Sequence, residues 1–212
     1  QIAAEIMRTA LLLDPESIPA LNWLKGYYEK EGALDEAIVI YVKFEALLAD
    51  KPDMLSGVRM ALAQCQFDLG QRCVRDYRSA LKTGDRDRAG RFAARAIEVL
   101  IDSVATCDRE LKSVGTPPSH LLRIKGLACQ RLAYLDGGRA HYWYSQAIAN
   151  YERTPLDFPA ELAEVRRKRA WFTQDVYQRR KDLQQAITEV ELQGKDASDL
   201  KEDLVIVENR IT

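Results

Sequence analysis

Residues 18–52 run IPALNWLKGYYEKEGALDEAIVIYVKFEALLADKP. Apolar side chains recur there at three- and four-residue spacing, Leu21, Leu24 and Tyr28 before Gly32, then Ala37, Tyr41 and Phe44 after it. That is the period of one face of an α-helix, and glycine between two such runs marks a turn. The stretch therefore predicts two antiparallel helices over 18–31 and 34–50. The small side chain of Ala37 lets the two backbones approach, Leu24 and Tyr28 fill the space between them, and Pro52 is expected to end the second helix.

The same periodicity extends in both directions, and no segment alternates apolar and polar residues as a half-buried strand does. With glycine and proline as boundaries, helices are predicted at 2–13, 18–31, 34–50, 54–69, 71–83, 86–113, 118–135, 139–153, 159–193 and 197–211. The fold class is all-α. Gly70 separates two of these segments, but a glycine inside a helix costs only about 1 kcal/mol, so 54–83 can equally form one rod.

The pairs repeat. WLKGYY at 23–28 is echoed by RIKGLA at 123–128. Ala37 is followed by Tyr41, Phe44 and Pro52 as Ala140 is followed by Tyr144, Ala147 and Pro155, at identical offsets of four, seven and fifteen. On these residues the chain resembles the tetratricopeptide repeat family. Residues 18–52 look like one full repeat. Residues 1–15 match the back half of a preceding one through Ala3, Met7, Ala10 and Pro15, so the sequence reads as an excised piece. Gly84, Ala89, Ala93 and Ala96 suit another second helix. Lys25 departs from the pattern, standing where the family places a small residue.

The resemblance implies a right-handed superhelix of antiparallel helix pairs, an α-solenoid over residues 1–155, with a concave side lined by the first helix of each repeat. It maps ligand-facing positions onto Asn22, Gly26, Glu29, Lys30, Met60, Gln64 and Phe67, and further along onto Leu122 and Gly126. Met60 and Phe67 would supply apolar contacts, and Asn22 and Gln64 would pair with peptide backbone. Only Asn22 matches the basic clamp of the chaperone-binding members, so binding to chaperone tails is not expected.

Residues 156–212 differ in kind and are expected to form a separate C-terminal domain. Leu162, Val165, Phe172, Val176, Leu183, Ile187 and Val190 predict one long capping helix. Beyond Gly194, the segment from Asp196 to Asp199 supplies an N-cap, and Leu200, Leu204, Val207 and Ile211 form a 4-3-4 seam. That seam predicts a helical hairpin packed on the solenoid and a surface for homo-oligomerisation.

Composition bounds the functions available. The 212 residues are 47% apolar and 30% charged with a formal charge of −1, which gives the whole chain no strong attraction to nucleic acid or anionic lipid. No apolar run reaches the roughly 20 residues that cross a bilayer, and no secretory layout opens the sequence. Cys65, Cys73, Cys107 and Cys129 lack C-x-x-C and metal-ligand spacing, so they read as buried thiols in a reducing compartment such as the cytoplasm.

No phosphate-binding loop, dinucleotide fingerprint, zinc-helix motif or nucleophile elbow occurs, and neither His120 nor His141 has a partner at motif spacing. The chain is expected not to be an enzyme and to need no cofactor or metal. His120 is expected at a helix-start surface and His141 in packing. Among the neighbouring aromatics, Tyr144 and Tyr151 are expected in the core and Trp143 partly exposed.

Two basic stretches remain. Arg72, Arg75, Arg78 and Lys82 line one side of a helix and Arg86, Arg88, Arg91 and Arg95 follow. Residues 72–95 thus hold eight basic against three acidic side chains, while residues 1–60 hold six against ten. An acidic partner segment could dock on that stripe. Arg166, Arg167, Lys168 and Arg169 are expected to pair along their own helix with Glu161 and Glu164. The function expected is a protein-interaction scaffold that binds a peptide or partner helix. A second reading is a regulatory sensor module of a larger protein controlling an attached effector, and a nucleic-acid binder acting through the basic stripe ranks behind both.

Overall fold

The computed structural model describes residues 2–211. Among them ten α-helices and no strand occur: α1 (Ile2–Leu13), α2 (Ile18–Glu31), α3 (Leu34–Leu47), α4 (Pro52–Lys82), α5 (Arg86–Ser113), α6 (Ser119–Leu135), α7 (Ala140–Tyr151), α8 (Pro159–Phe172), α9 (Val176–Leu192) and α10 (Ser198–Glu208). A short 3-10 turn over Gly137–Arg139 leads into α7. The helices form two compact units that divide at Gly115–Thr116. The division expected near residue 155 falls inside the second unit, where α7 packs on α8.

In the first unit each helix packs on the next. Leu21, Leu24 and Tyr28 of α2 meet Ala37, Ile40, Tyr41 and Phe44 of α3 and Leu55, Leu62 and Cys65 of α4 in one core. Gly32 takes a positive φ of 68°, and its N–H bonds the Glu29 carbonyl, which closes α2 with a left-handed cap. Pro52 does not end α3 as expected. The helix stops at Leu47, and Pro52 opens α4, where a missing N–H is harmless in the first turn.

The two segments predicted on either side of Gly70 are one helix, α4, 31 residues long. A Cβ at Gly70 would lie 2.7 Å from the side chain of Leu100. The glycine is therefore a point of close approach between α4 and α5, and not a break. Along the pair, Ser56 bonds Glu110, the Ser103 hydroxyl donates to the Ala63 carbonyl, and Gly70 meets Leu100. One number rises as the other falls, as antiparallel helices require.

In the second unit α6 packs on α7, α7 on α8, α8 on α9 and α9 on α10. A Cβ at Gly126 would lie 2.4 Å from the Tyr151 ring, so this glycine too marks a close helix crossing. Tyr144 and Tyr151 are buried as expected, but Trp143 is only 7% exposed and His141 is exposed, the reverse of the sequence reading. Tyr142 is the outward aromatic of that cluster.

The long capping helix predicted over 159–193 is two helices. Thr173 turns extended, and the Asp175 carboxylate accepts from the Tyr177 and Gln178 amides, so α9 starts with its own N-cap. Phe172 consequently leaves the core and is exposed. The seam of α10 packs within the chain, Leu200 and Val207 against Ala163, Leu183, Ala186 and Ile187, with Leu204 and Ile211 beside them. The apolar surface that suggested oligomerisation is thus already covered.

Candidate partner-binding groove

The first unit carries a groove of about 470 Å³ walled by α2 and α4 and floored by α3. Ile18, Asn22 and Lys25 form one wall, Met54, Gly57, Val58 and Ala61 the other, and Tyr41, Phe44 and Leu48 lie beneath, with Asp53 at the α4 start. The floor exists because α3 packs on both α2 and α4 and holds them apart.

Each wall follows from helical geometry. Residues bind into the core at Leu21 and Leu24 on α2 and at Leu55 and Leu62 on α4. On α2 the groove residues Asn22 and Lys25 follow the core positions by one, and on α4 Met54 and Ala61 precede them by one. One step along a helix turns the face by about 100°. Ile18, Asn22 and Lys25 on α2 and Met54, Val58 and Ala61 on α4 share the same four-then-three spacing, so a shift of 36 residues carries one wall onto the other, and the expected step from Asn22 to Met60, a shift of 38, lands two residues late.

Asn22 lines the α2 wall of the groove. Glu29 and Lys30 are exposed one turn beyond the groove, and the Glu29 carboxylate accepts the Tyr41 hydroxyl. Burial and then that carboxylate push the Tyr41 phenol well up, so it stays a protonated donor on the groove floor. Gln64 is exposed a turn past Ala61 and donates to Asp68 at 2.9 Å, and Met60 is half-buried.

Phe67 is a correction. It is 4% exposed in the core of the unit, and it offers nothing to a partner. Leu122 and Gly126 are buried in the second unit, the glycine beneath Tyr151, and they face no ligand. Gly26 is exposed with open space where a Cβ would stand. The floor residues Tyr41, Phe44 and Leu48 were absent from the expected site, since a second helix carries no groove signal of its own.

No protein-family model matches the chain, and no curated protein sequence does either. The chemistry of the groove must therefore be taken from its own residues. Cys65 lies in the core behind it, where burial pushes the thiol up to about 12 and the Sγ–H points to the Leu34 carbonyl at 3.7 Å. All four cysteines are buried and reduced. Among the described residues no group of three His, Cys, Asp or Glu side chains could hold a metal ion, and no helix is long and apolar enough to cross a membrane.

Of the two basic stretches, Arg72, Arg75 and Arg78 are exposed on α4, with Arg72 donating to the Gly32 carbonyl at 3.0 Å. The run at 166–169 differs from expectation. Only Lys168 pairs along its own helix, with Glu164. Arg166 pairs with Glu152 and Glu189, Arg167 with Asp203, and Arg169 with Asp182, reaching the end of α7 and helices α9 and α10. This run clamps helices together and presents little free charge to solvent.

Proposed function

We propose that the chain is a non-catalytic interaction scaffold whose helix pairs stack in the tetratricopeptide manner, as a right-handed superhelix, and whose groove takes a peptide or partner helix. The observation that carries this reading is the groove itself, an apolar trough of about 470 Å³ with one amide and one ammonium on its α2 wall. Such a trough suits apolar side chains at i, i+3 or i+4 and i+7, because both walls run along helices of about two turns in that region. Asn22 and Lys25 would then meet polar backbone or a terminal carbonyl group of the occupant. The four buried thiols suit a reducing compartment such as the cytoplasm.

The test is selection of random twelve-residue peptides on the intact chain, with counter-selection on a Gly57→Arg/Ala61→Arg variant that fills the groove. Enriched peptides should carry apolar anchors at helical spacing, shift the amide resonances of Asn22, Lys25 and Val58, and lose at least about tenfold in affinity for the variant, roughly 1.4 kcal/mol. Peptides that bind both proteins equally, or that shift residues only outside the groove, would overturn the reading.

A further inference from the structure

The helices α4 and α5 are built on a different scale from their neighbours. With 31 and 28 residues they run about 46 and 42 Å, against about 21 Å for the 14-residue α3. Two contacts mark where α2 and α3 stop accompanying them. Arg72 donates to the Gly32 carbonyl at 3.0 Å, and Arg95 donates to Asp35 at 2.6 Å and to Glu98 at 2.9 Å. Beyond this base, residues 73–94 form an arm of two helices that pack on one another. Cys73, Val74, Ala80 and Ala89 are buried along its seam, and the Asp85 carboxylate caps α5 by accepting the Arg88 amide at 2.9 Å.

The arm carries six cations, Arg75, Arg78, Lys82, Arg86, Arg88 and Arg91, all exposed, against three carboxylates, Asp76, Asp85 and Asp87. Five of the six are arginines, whose planar forks match carboxylate geometry better than an ammonium does. Arg75, Arg78 and Lys82 follow one another on the outer side of α4 at helical spacing, opposite the buried Cys73, Val74 and Ala80.

We propose that this arm is a docking surface for an acidic segment of a partner polypeptide. Charge complementarity selects the partner's sign, and the distribution of charge selects its kind. The basic surface is confined to the arm, whereas residues 1–60 of the same unit hold ten acidic against six basic side chains. A nucleic-acid backbone carries its charge onward past the arm and meets repulsion there. A short acidic segment ends where the cations end.

Fluorescence anisotropy of a labelled nonaglutamate peptide with the full chain tests this, alongside a nonaglutamine peptide and a 20-nucleotide single-stranded DNA. Two variants are compared, Arg75→Ser/Arg78→Ser/Lys82→Ser and, as a control that removes equal charge off the arm, Lys30→Ser/Lys43→Ser/Lys51→Ser. All six side chains are exposed, so both variants should melt with the parent. Expected are binding of nonaglutamate and not nonaglutamine, a loss of about tenfold or more between 50 and 200 mM salt, and a similar loss in the arm variant only. Equal losses in both variants would reduce the effect to diffuse attraction and overturn the proposal. Tighter binding of the DNA than of nonaglutamate at the same salt would overturn it in favour of a nucleic-acid surface.

Discussion

At the scale of single residues, the matched motifs WLKGYY and RIKGLA hide a difference in role. Ala37 and Ala140 are both buried at helix crossings, and Tyr41 and Tyr144 both enter the core, so those shared offsets carry shared structure. The glycines do not. Gly126 is pressed against Tyr151, while Gly26 faces open space. The consequence is an ordering of substitutions. Gly70→Ala and Gly126→Ala should each lose about 1–3 kcal/mol in urea unfolding, because Leu100 and Tyr151 are buried and cannot swing away. Gly26→Ala should be neutral or gain up to about 1 kcal/mol from helix propensity. Equal losses at all three positions would contradict the packing described for the crossings. The spacing of small residues was readable from the sequence, but which of them lies at a crossing depends on a partner helix that no local pattern names.

At the scale of elements, α8 and α9 show charge placed between helices. Arg169 donates to both oxygens of Asp182, at 2.8 and 2.5 Å, and Gln178 adds a third bond to that fully buried carboxylate. Asp182→Ala takes away the carboxylate and leaves the guanidinium only the Ser145 hydroxyl at 3.3 Å, which should cost about 3–5 kcal/mol. The loss can be followed by thiol labelling, since Cys129 belongs to the second unit and Cys65, Cys73 and Cys107 to the first. Labelling of Cys129 should accelerate in Asp182→Ala while the other three keep their parental rates, and uniform acceleration would refute a loss confined to α6–α10. Glu189 is a second case. Burial pushes its carboxyl up to about 7 from an ordinary value of 4.5, against the Arg166 guanidinium at 2.8 Å and with the Glu152 carboxylate sharing that cation. Its folded pKa lies above its unfolded one, so its contribution is fully present below about pH 4.5 and is lost as pH rises toward 7. Glu189→Gln should flatten the fall in melting temperature between pH 5 and 8, and an unchanged slope would assign that fall to other groups.

At the scale of the molecule, composition and periodicity by themselves determined that the chain is helical, because a 3.6-residue apolar period survives any rearrangement of neighbours. They determined the turns at Gly32, Gly84 and Gly194 as well, each of which takes a positive φ that glycine alone adopts cheaply. Tertiary structure decided where helices join and part. Gly70 stays inside α4 because α5 needs its missing side chain, and the predicted long helix breaks before α9 because Asp175 caps a new start. It also decided the site. Asn22 could be read from one helix, whereas the opposite wall at Gly57, Val58 and Ala61 and the floor at Tyr41 and Phe44 belong to a groove formed only when α3 holds α2 and α4 apart. A helix face is written in one segment of sequence, but a groove is the space between several, and it exists only once they are packed.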